Sequence, residues 1–235
     1  MARARPKSKK TRAAAKHDSM ASTRASPVVD ELAQTREVHV PSRVEILDAG
    51  EAVIVERGFA RTTVEDVAQR AGVSLDVFHA HFGGKGALLR ALNDRFVDQM
   101  IGAVDASTAT GSWSESRVRD VVEIAVRSIL DVVQERGGLV RAFLAHGATD
   151  RALSMGLRKI GTHMTAKLVT AVSSCIDAKE SPSSPRTVGF SLLLSVALAH
   201  HCILVGEDWA GVELSKAELT EELSTAISAY LAART

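Results

Sequence analysis

The sequence has few aromatic residues and few cysteines. Aromatic residues make up 4% of the 235 residues, whereas hydrophobic residues make up 46%. Because most of the apolar content is Ala, Val and Leu, the composition favours helices over a β-sandwich. The two cysteines, Cys175 and Cys202, lie in apolar stretches, so we expect buried thiols in a reducing compartment and no disulfide framework.

Recognisable catalytic and targeting motifs are also missing. The sequence contains no G-x-S-x-G, no H-E-x-x-H, no phosphate-binding glycine loop and no Cys/His metal spacing. We therefore expect no enzymatic activity, no cofactor and no metal. His79 and His81 do not indicate a metal pair, because residues two apart on a helix point to different faces. The first residues lack the apolar segment of an export signal, which predicts a cytoplasmic protein.

The charge is distributed unevenly along the chain. Its formal net charge is +1, yet residues 1–26 hold eight basic residues and one acid, so the remainder is acidic. Residues 1–41 lack helical periodicity, and we predict a disordered basic N-terminal arm. One interpretation is that the arm binds a polyanion. The other is a solvated tail, and the sequence leaves both open.

Helical periodicity covers the rest of the chain. Ser42, Thr63 and Ser74 are placed to cap three short helices, and Gly58 and Gly72 end the first two. Longer apolar stripes follow at helical spacing as far as the C-terminal region, and Gly137–Gly138 is expected to interrupt one of them. The prediction is an all-α fold. Residues 42–89 form an N-terminal three-helix bundle, and residues 90–235 form a C-terminal helical domain.

Residues 63–82 have the pattern of a helix-turn-helix. Ala68 is small where the second helix of the motif crosses the first, and Gly72 suits a turn with positive φ. Val73 and Phe78 are spaced to fill the gap between the two helices. The second helix of such a motif lies in the major groove of DNA.

The stretch Arg43–Leu89 resembles the DNA-binding region of the TetR (tetracycline-repressor-like) family. The matching positions include Gly58–Phe59, Thr62–Thr63, Asp66–Val67–Ala68, Ala71–Gly72–Val73–Ser74, Phe78, His81–Phe82, Lys85 and Ala87–Leu88–Leu89. The sequence departs from the family pattern at Val77, His79 and Gly84, where Thr, Tyr and Ser are usual. The second helix of the motif, which would contact the DNA bases and which we call the reading helix, also lacks Lys and Arg.

The resemblance implies a homodimeric transcription regulator that binds a palindromic operator in double-stranded DNA. It further implies that a mostly apolar small-molecule inducer binds the C-terminal helices and releases a repressor from DNA. Asp76 can accept from a cytosine amine, His79 and His81 can donate, and Lys85 can meet a phosphate. The candidate DNA-binding residues are Thr63, Ser74, Leu75, Asp76, Val77, His79, His81 and Lys85.

The downstream helices contain candidates for the inducer pocket and for the dimer interface. We predict that Met100, Phe143, His163 and Met164 line the pocket, although each is equally compatible with ordinary core or surface packing. Residues 188–205 are apolar on all sides. We interpret them as a dimer interface rather than a membrane span, because Ser and His interrupt the run. The alternative to a ligand-responsive regulator is an architectural or scaffold protein that binds DNA without responding to a ligand.

Overall fold

The chain is helical throughout the part that the structure describes. The computed structural model describes residues 42–109, 117–175, 184–204 and 214–234, and these ranges contain no β-strand. In chain order the helices are α1 (Arg43–Arg57), a short 3-10 helix (Phe59–Arg61), α2 (Val64–Ala71), α3 (Leu75–His81), α4 (Lys85–Ala109), α5 (Val118–Gly147), α6 (Arg151–Ser174), α7 (Pro185–Leu204) and α8 (Lys216–Ala232). The all-α prediction is confirmed. The predicted arm, residues 1–41, lies outside the described residues.

The bundle helices start and stop where local chemistry requires. The Ser42 hydroxyl accepts from the Glu45 amide while the Glu45 carboxylate accepts from the Ser42 amide, which forms a capping box at the start of α1. Gly58 and Gly72 follow α1 and α2 with φ of 77° and 68°, a region that favours glycine. These hydrogen bonds and backbone angles involve residues only a few positions apart, so the ends of α1 and α2 are specified locally.

Two hydrophobic cores share helix α5. The first contains side chains of α1 to α4 together with Leu139, Val140 and Phe143 from the second half of α5. The second joins the first half of α5 to α7 and α8 and includes Val126, Leu130, Val188, Ile227 and Leu231. The domain boundary predicted at residue 89 falls inside the first core, because Leu88, Leu89 and Leu92 all belong to it. The two-domain division therefore stays a prediction.

The interruption predicted at Gly137–Gly138 lies directly after a break in the helical backbone of α5. Its backbone departs from helical geometry at Arg136, with φ −127° and ψ 18°, and this residue marks a kink. Gly138 has a packing role, because a Cβ at this position would lie 3.3 Å from the Cα of Val55 in α1. The glycine thus allows α5 and α1 to approach closely just after the kink.

A group of charged side chains joins α1, α4 and α5 at this kink. We call Glu51, Arg95 and Arg136 the Glu51 cluster. One Glu51 oxygen lies 2.6 Å from Arg95 and the other lies 2.5 Å from Arg136. Each of the three side chains is only 18–20% exposed. Arg136 also donates to Gln99 at 2.9 Å and stacks on the Phe96 ring.

Helix α7 is long and apolar enough to cross a membrane, and it is the only such helix among the described residues. One of its faces packs into the second core. The hydroxyls of Ser191 and Ser195 on this face donate to the carbonyls four residues earlier, so their burial leaves no unpaired donor. Other α7 side chains, Phe190, Leu193 and Leu194, are exposed.

Candidate nucleic-acid interface

Helices α2 and α3 form a closely packed helix-turn-helix. Val67 and Phe78 are completely buried and Ala68 is 3% exposed. The Val73 amide donates to the Ala68 carbonyl at 3.0 Å, which closes the turn after α2. The Phe78 ring lies 5.7 Å from the Phe82 ring, and this contact fixes the far end of α3. Packing within the motif therefore fixes the orientation of α3 and of its outer face.

Thr63 caps α2 through a reciprocal contact with Asp66. The Asp66 amide donates to the Thr63 hydroxyl oxygen at 3.1 Å, and the Asp66 carboxylate accepts from the Thr63 amide at 3.0 Å. Arg57 adds an ion pair to the same carboxylate at 2.8 Å. The hydrogen bonds from Thr63, first the backbone and then the hydroxyl, hold the pKa of Asp66 below its usual range, and Arg57 adds to the effect.

The exposed face of α3 consists of residues that the sequence analysis selected. Ser74 caps the helix by accepting from the Val77 amide at 3.3 Å. Leu75, Asp76 and His79 are exposed, whereas Val77 is half-buried and packs against the first core. His81 is exposed at the last position of the helix. The structure thus brings an apolar, an acidic and a histidine side chain together on the outer surface.

Lys85 lies at the start of α4, where a phosphate contact was predicted. Its ammonium donates to the Ala60 carbonyl at 3.4 Å and lies 4.3 Å from the centroid of the Phe59 ring. Partial burial lowers the pKa of this lysine. His146 of α5 also makes an edge contact with Phe59, and the centroids of the two rings are 4.7 Å apart. Lys85 therefore packs on the 3-10 helix, with ammonium donors left for a further acceptor.

The three-helix bundle of residues 42–89, which we call the helix-turn-helix unit, is itself acidic. The motif alone does not indicate this feature. Residues 42–89 contain five basic and seven acidic residues. Arg57 is paired with Asp66, and Arg70 is paired with Glu56 at 2.5 Å. A simple charge count over this range would have detected the deficit. These arginines are held by carboxylates of the unit, which limits what they offer to a phosphate backbone.

The four predicted pocket residues lie in different surroundings. Phe143 is completely buried with its ring 5.5 Å from Phe96, and Met100 packs against the same core. His163 contacts the Asp105 carboxylate at 2.9 Å. Met164 is the only one of the four that lines a cavity of about 50 Å3 between α4, α5 and α6. Their role as ligand contacts stays a prediction.

The described ranges also show how the cysteines and possible metal ligands are placed. Cys175 and Cys202 are both half-buried. Burial raises the pKa of the Cys175 thiol, and the nearby Asp120 charge acts in the same direction. Across the described residues, no three His, Cys, Asp or Glu side chains are grouped in a way that would hold a metal ion.

Comparison with known proteins finds a family match for the segment that contains α2 and α3. Residues 46–92 match the family described as bacterial regulatory proteins, tetR family. The chain is 35% identical over 81 residues to the HTH-type transcriptional activator FasR of Mycolicibacterium smegmatis, covering 34% of this chain and 37% of FasR. It is 28% identical over 144 residues to the HTH-type transcriptional regulator EthR of Mycobacterium tuberculosis, covering 61% of this chain and 64% of EthR. The chain thus spans less than two thirds of the length of either relative.

The similarity of fold extends beyond the matched segment. A solved TetR-family transcriptional regulator from Mesorhizobium loti superposes with a TM-score of 0.65 at 19% identity, covering 81% of this chain and 95% of that chain. At this identity the likeness concerns the fold alone. It includes the helices that follow the bundle as well as the bundle itself.

Proposed function

We propose that this chain, which belongs to the TetR family of bacterial regulatory proteins, is a sequence-specific DNA-binding transcriptional regulator. The observation that carries the proposal is the exposed face of α3, where Leu75, Asp76 and His79 project from a helix fixed by buried Phe78. An α-helix fits the major groove, where base edges offer a distinct pattern of donors and acceptors.

We assign a role to each candidate residue on this face. Asp76 accepts from a cytosine amine, His79 and His81 donate to base or phosphate acceptors, and Leu75 and Val77 supply apolar contacts. Thr63, Ser74 and Lys85 lie at the starts of α2, α3 and α4, where phosphate contacts fix the orientation of the protein on the duplex. Base preference then depends mainly on Asp76 and His79.

We also propose a homodimer formed through the outer surface of α7 together with α8. Leu193 is 60% exposed and Leu194 is 44% exposed, and the Phe190 ring lies 5.4 Å from the Tyr230 ring of α8. An exposed apolar surface of this kind is typical of a protein–protein contact. A closed two-fold pair covers the same surface on both copies.

The regulator that we propose is a repressor released from its operator by a mostly apolar small molecule. Support comes from the similarity of the chain to HTH-type transcriptional regulators. The void between α5 and α8, lined by apolar side chains with the hydroxyls of Ser191 and Ser195, holds only about 30 Å3, so an inducer there would have to enlarge it. The candidate contacts nearer α4 are Met100, Phe143, His163 and Met164. An inducer releases the DNA only through a higher affinity for the conformer that does not bind it. We place the protein in the cytoplasm and assign it no catalytic step.

Selection from random double-stranded DNA tests the proposed function. We expect inverted repeats whose half-site centres lie about 34–36 Å apart or a multiple of that, because two-fold symmetry in the protein is matched by symmetry in its site. Substitution His79→Ala should change the preferred bases within each half-site and leave their spacing unchanged. Recovery of asymmetric or unrelated sequences would support the architectural alternative.

Removing residues 1–26 tests the basic arm. The acidic helix-turn-helix unit offers few cations, so we expect the arm to neutralise phosphates of the DNA. Truncation should weaken binding to operator and random DNA by a similar factor. It should also make the slope of log K against log salt concentration shallower by roughly 0.9 for each phosphate that the arm neutralises. Titration at several salt concentrations measures this, with His79→Ala as the control that changes preference and not slope. An unchanged slope after truncation would identify the arm as a solvated tail.

A further inference from the structure

A cavity of about 720 Å3 lies where α1 meets the C-terminal helices. Its walls come from the end of α1, the middle of α5, the end of α7 and the start of α8, so it is separate from the small cavity beside Met164. Its size falls within the range of roughly 300–1,000 Å3 that is usual for small-molecule sites. Nothing in the proposed regulator uses this cavity.

The lining combines an apolar floor with basic groups. Apolar side chains come from all four helices, namely Val55, Leu130, Val133, Leu198, Ile203 and Leu219. Arg141 and Lys216 line the same cavity, and Glu135 is its one acidic lining residue. The surface therefore suits a molecule with an apolar body and one anionic group.

Arg141 is the group best placed to bind that anion. Its side chain contacts the Leu204 carbonyl at 3.4 Å, a long hydrogen bond, and no carboxylate of the described residues pairs with it. Lys216 differs, because its ammonium contacts Asp131 and donates to Gln134 at 3.0 Å. A guanidinium fork matches the two oxygens of a carboxylate in a way that a single ammonium does not.

We propose that this cavity binds a small amphipathic carboxylate, with its carboxylate on Arg141 and its apolar body on the floor formed by α1, α5, α7 and α8. The occupant would contact Val55 and Gly138, which form one of the contacts between α1 and α5. It would therefore contact the DNA-binding bundle and the C-terminal helices at once. The proposal concerns a second ligand site and does not depend on DNA binding.

The test uses 2-naphthoate, a fluorescent aromatic carboxylate, and 2-naphthamide, a neutral molecule of nearly the same shape. Binding is measured by fluorescence titration of the full chain in the absence of DNA. Cys202 lines the cavity, so its rate of alkylation by a maleimide in a Cys175→Ser background reports occupancy at this place. We expect naphthoate to bind at least tenfold more tightly than the amide and to slow alkylation of Cys202.

Three variants locate the site. Arg141→Gln should lower naphthoate affinity about tenfold and leave that of the amide unchanged, because it removes a charge-assisted hydrogen bond. Leu198→Trp should fill the cavity and abolish binding of both molecules. The matched control is Ile124→Trp, which places the same bulk at the other cavity and should leave naphthoate affinity and Cys202 protection unchanged.

The possible results separate the alternatives. Loss of binding in Ile124→Trp but not in Arg141→Gln would overturn the proposal and place the ligand at the other cavity. Absence of naphthoate binding to the wild-type chain would also overturn it. Arg141 is exposed, so Arg141→Gln should fold normally and decides the question even if Leu198→Trp does not fold. None of these results bears on operator recognition, which selection from random DNA tests independently.

Discussion

Replacing Leu194 by Asp should convert the proposed dimer to monomers that keep their fold. Leu194 is 44% exposed on the protomer, so a carboxylate there meets water when the chain is alone and apolar surface when two copies pair. We expect operator affinity to fall by about two orders of magnitude, because linking two half-site contacts raises avidity by roughly 10²–10⁴. Sedimentation at micromolar concentration and a titration on operator DNA measure the two effects.

The matched control is Met155→Asp. Met155 of α6 is 57% exposed, so the substitution adds the same charge at a similarly exposed apolar position outside the α7 surface. It should remain dimeric and bind operator normally. Leu198→Asp is a poorer test because Leu198 lines the cavity between α5 and α7, where a carboxylate would disturb the protomer. A wild-type chain that sediments as a monomer would contradict the interface and the operator geometry that depends on it.

Glu51→Gln should lower the free energy of unfolding by about 2–3 kcal/mol, between the values for exposed and fully buried ion pairs. The substitution keeps the size of the side chain but removes the carboxylate that Arg95 and Arg136 share. Arg95 keeps Asp48 as a partner at 2.5 Å, whereas Arg136 retains the neutral Gln99. The remaining guanidinium of Arg136 would then be four-fifths buried without a counter-charge.

Urea denaturation measures this decrease in the free energy of unfolding, and we expect the m-value of the variant to equal that of the wild-type chain. Glu123→Gln is the matched control, because Glu123 pairs with Arg127 one turn away on the exposed surface of α5. Such pairs contribute about 0.3–0.5 kcal/mol. Adding Arg136→Gln to Glu51→Gln should recover part of the stability by removing the unpaired cation. Equal decreases in the Glu51 and Glu123 variants would show that the cluster contributes no more than a surface pair.

The helix-turn-helix could be predicted from the sequence because its determinants are short-range. Caps at Ser42, Thr63 and Ser74 and the positive φ of Gly72 each involve residues within a few positions. The periodicity of α3 likewise places Asp76 and His79 outside and Phe78 inside. These elements form because each local preference agrees with the fold.

The features that the sequence did not reveal all depend on contacts between distant segments. Gly137–Gly138 indicated the break that occurs at Arg136, but not that Gly138 allows the close approach of α1, more than eighty residues earlier. The sharing of Glu51 by Arg95 and Arg136 has no periodic signal, because the three residues belong to three helices. The same holds for the large cavity, whose lining comes from four helices. Pattern within one helix specifies which side is buried, and leaves open what it packs against.

The kink at Arg136 is a joint that divides α5 into two arms. The buried side chains of Val122, Val126 and Leu130 before the joint belong to the core with α7 and α8, and those of Leu139, Val140 and Phe143 after it belong to the core with α1 to α4. From Arg136 to Gly147 the second arm is about 16 Å long at about 1.5 Å per residue, so a rotation of about 10° at the joint would displace its tip by roughly 3 Å. The Glu51 cluster sits on this joint. In the dimer that we propose, we expect the distance between the two copies of α3 to depend on three charged side chains as well as on apolar packing.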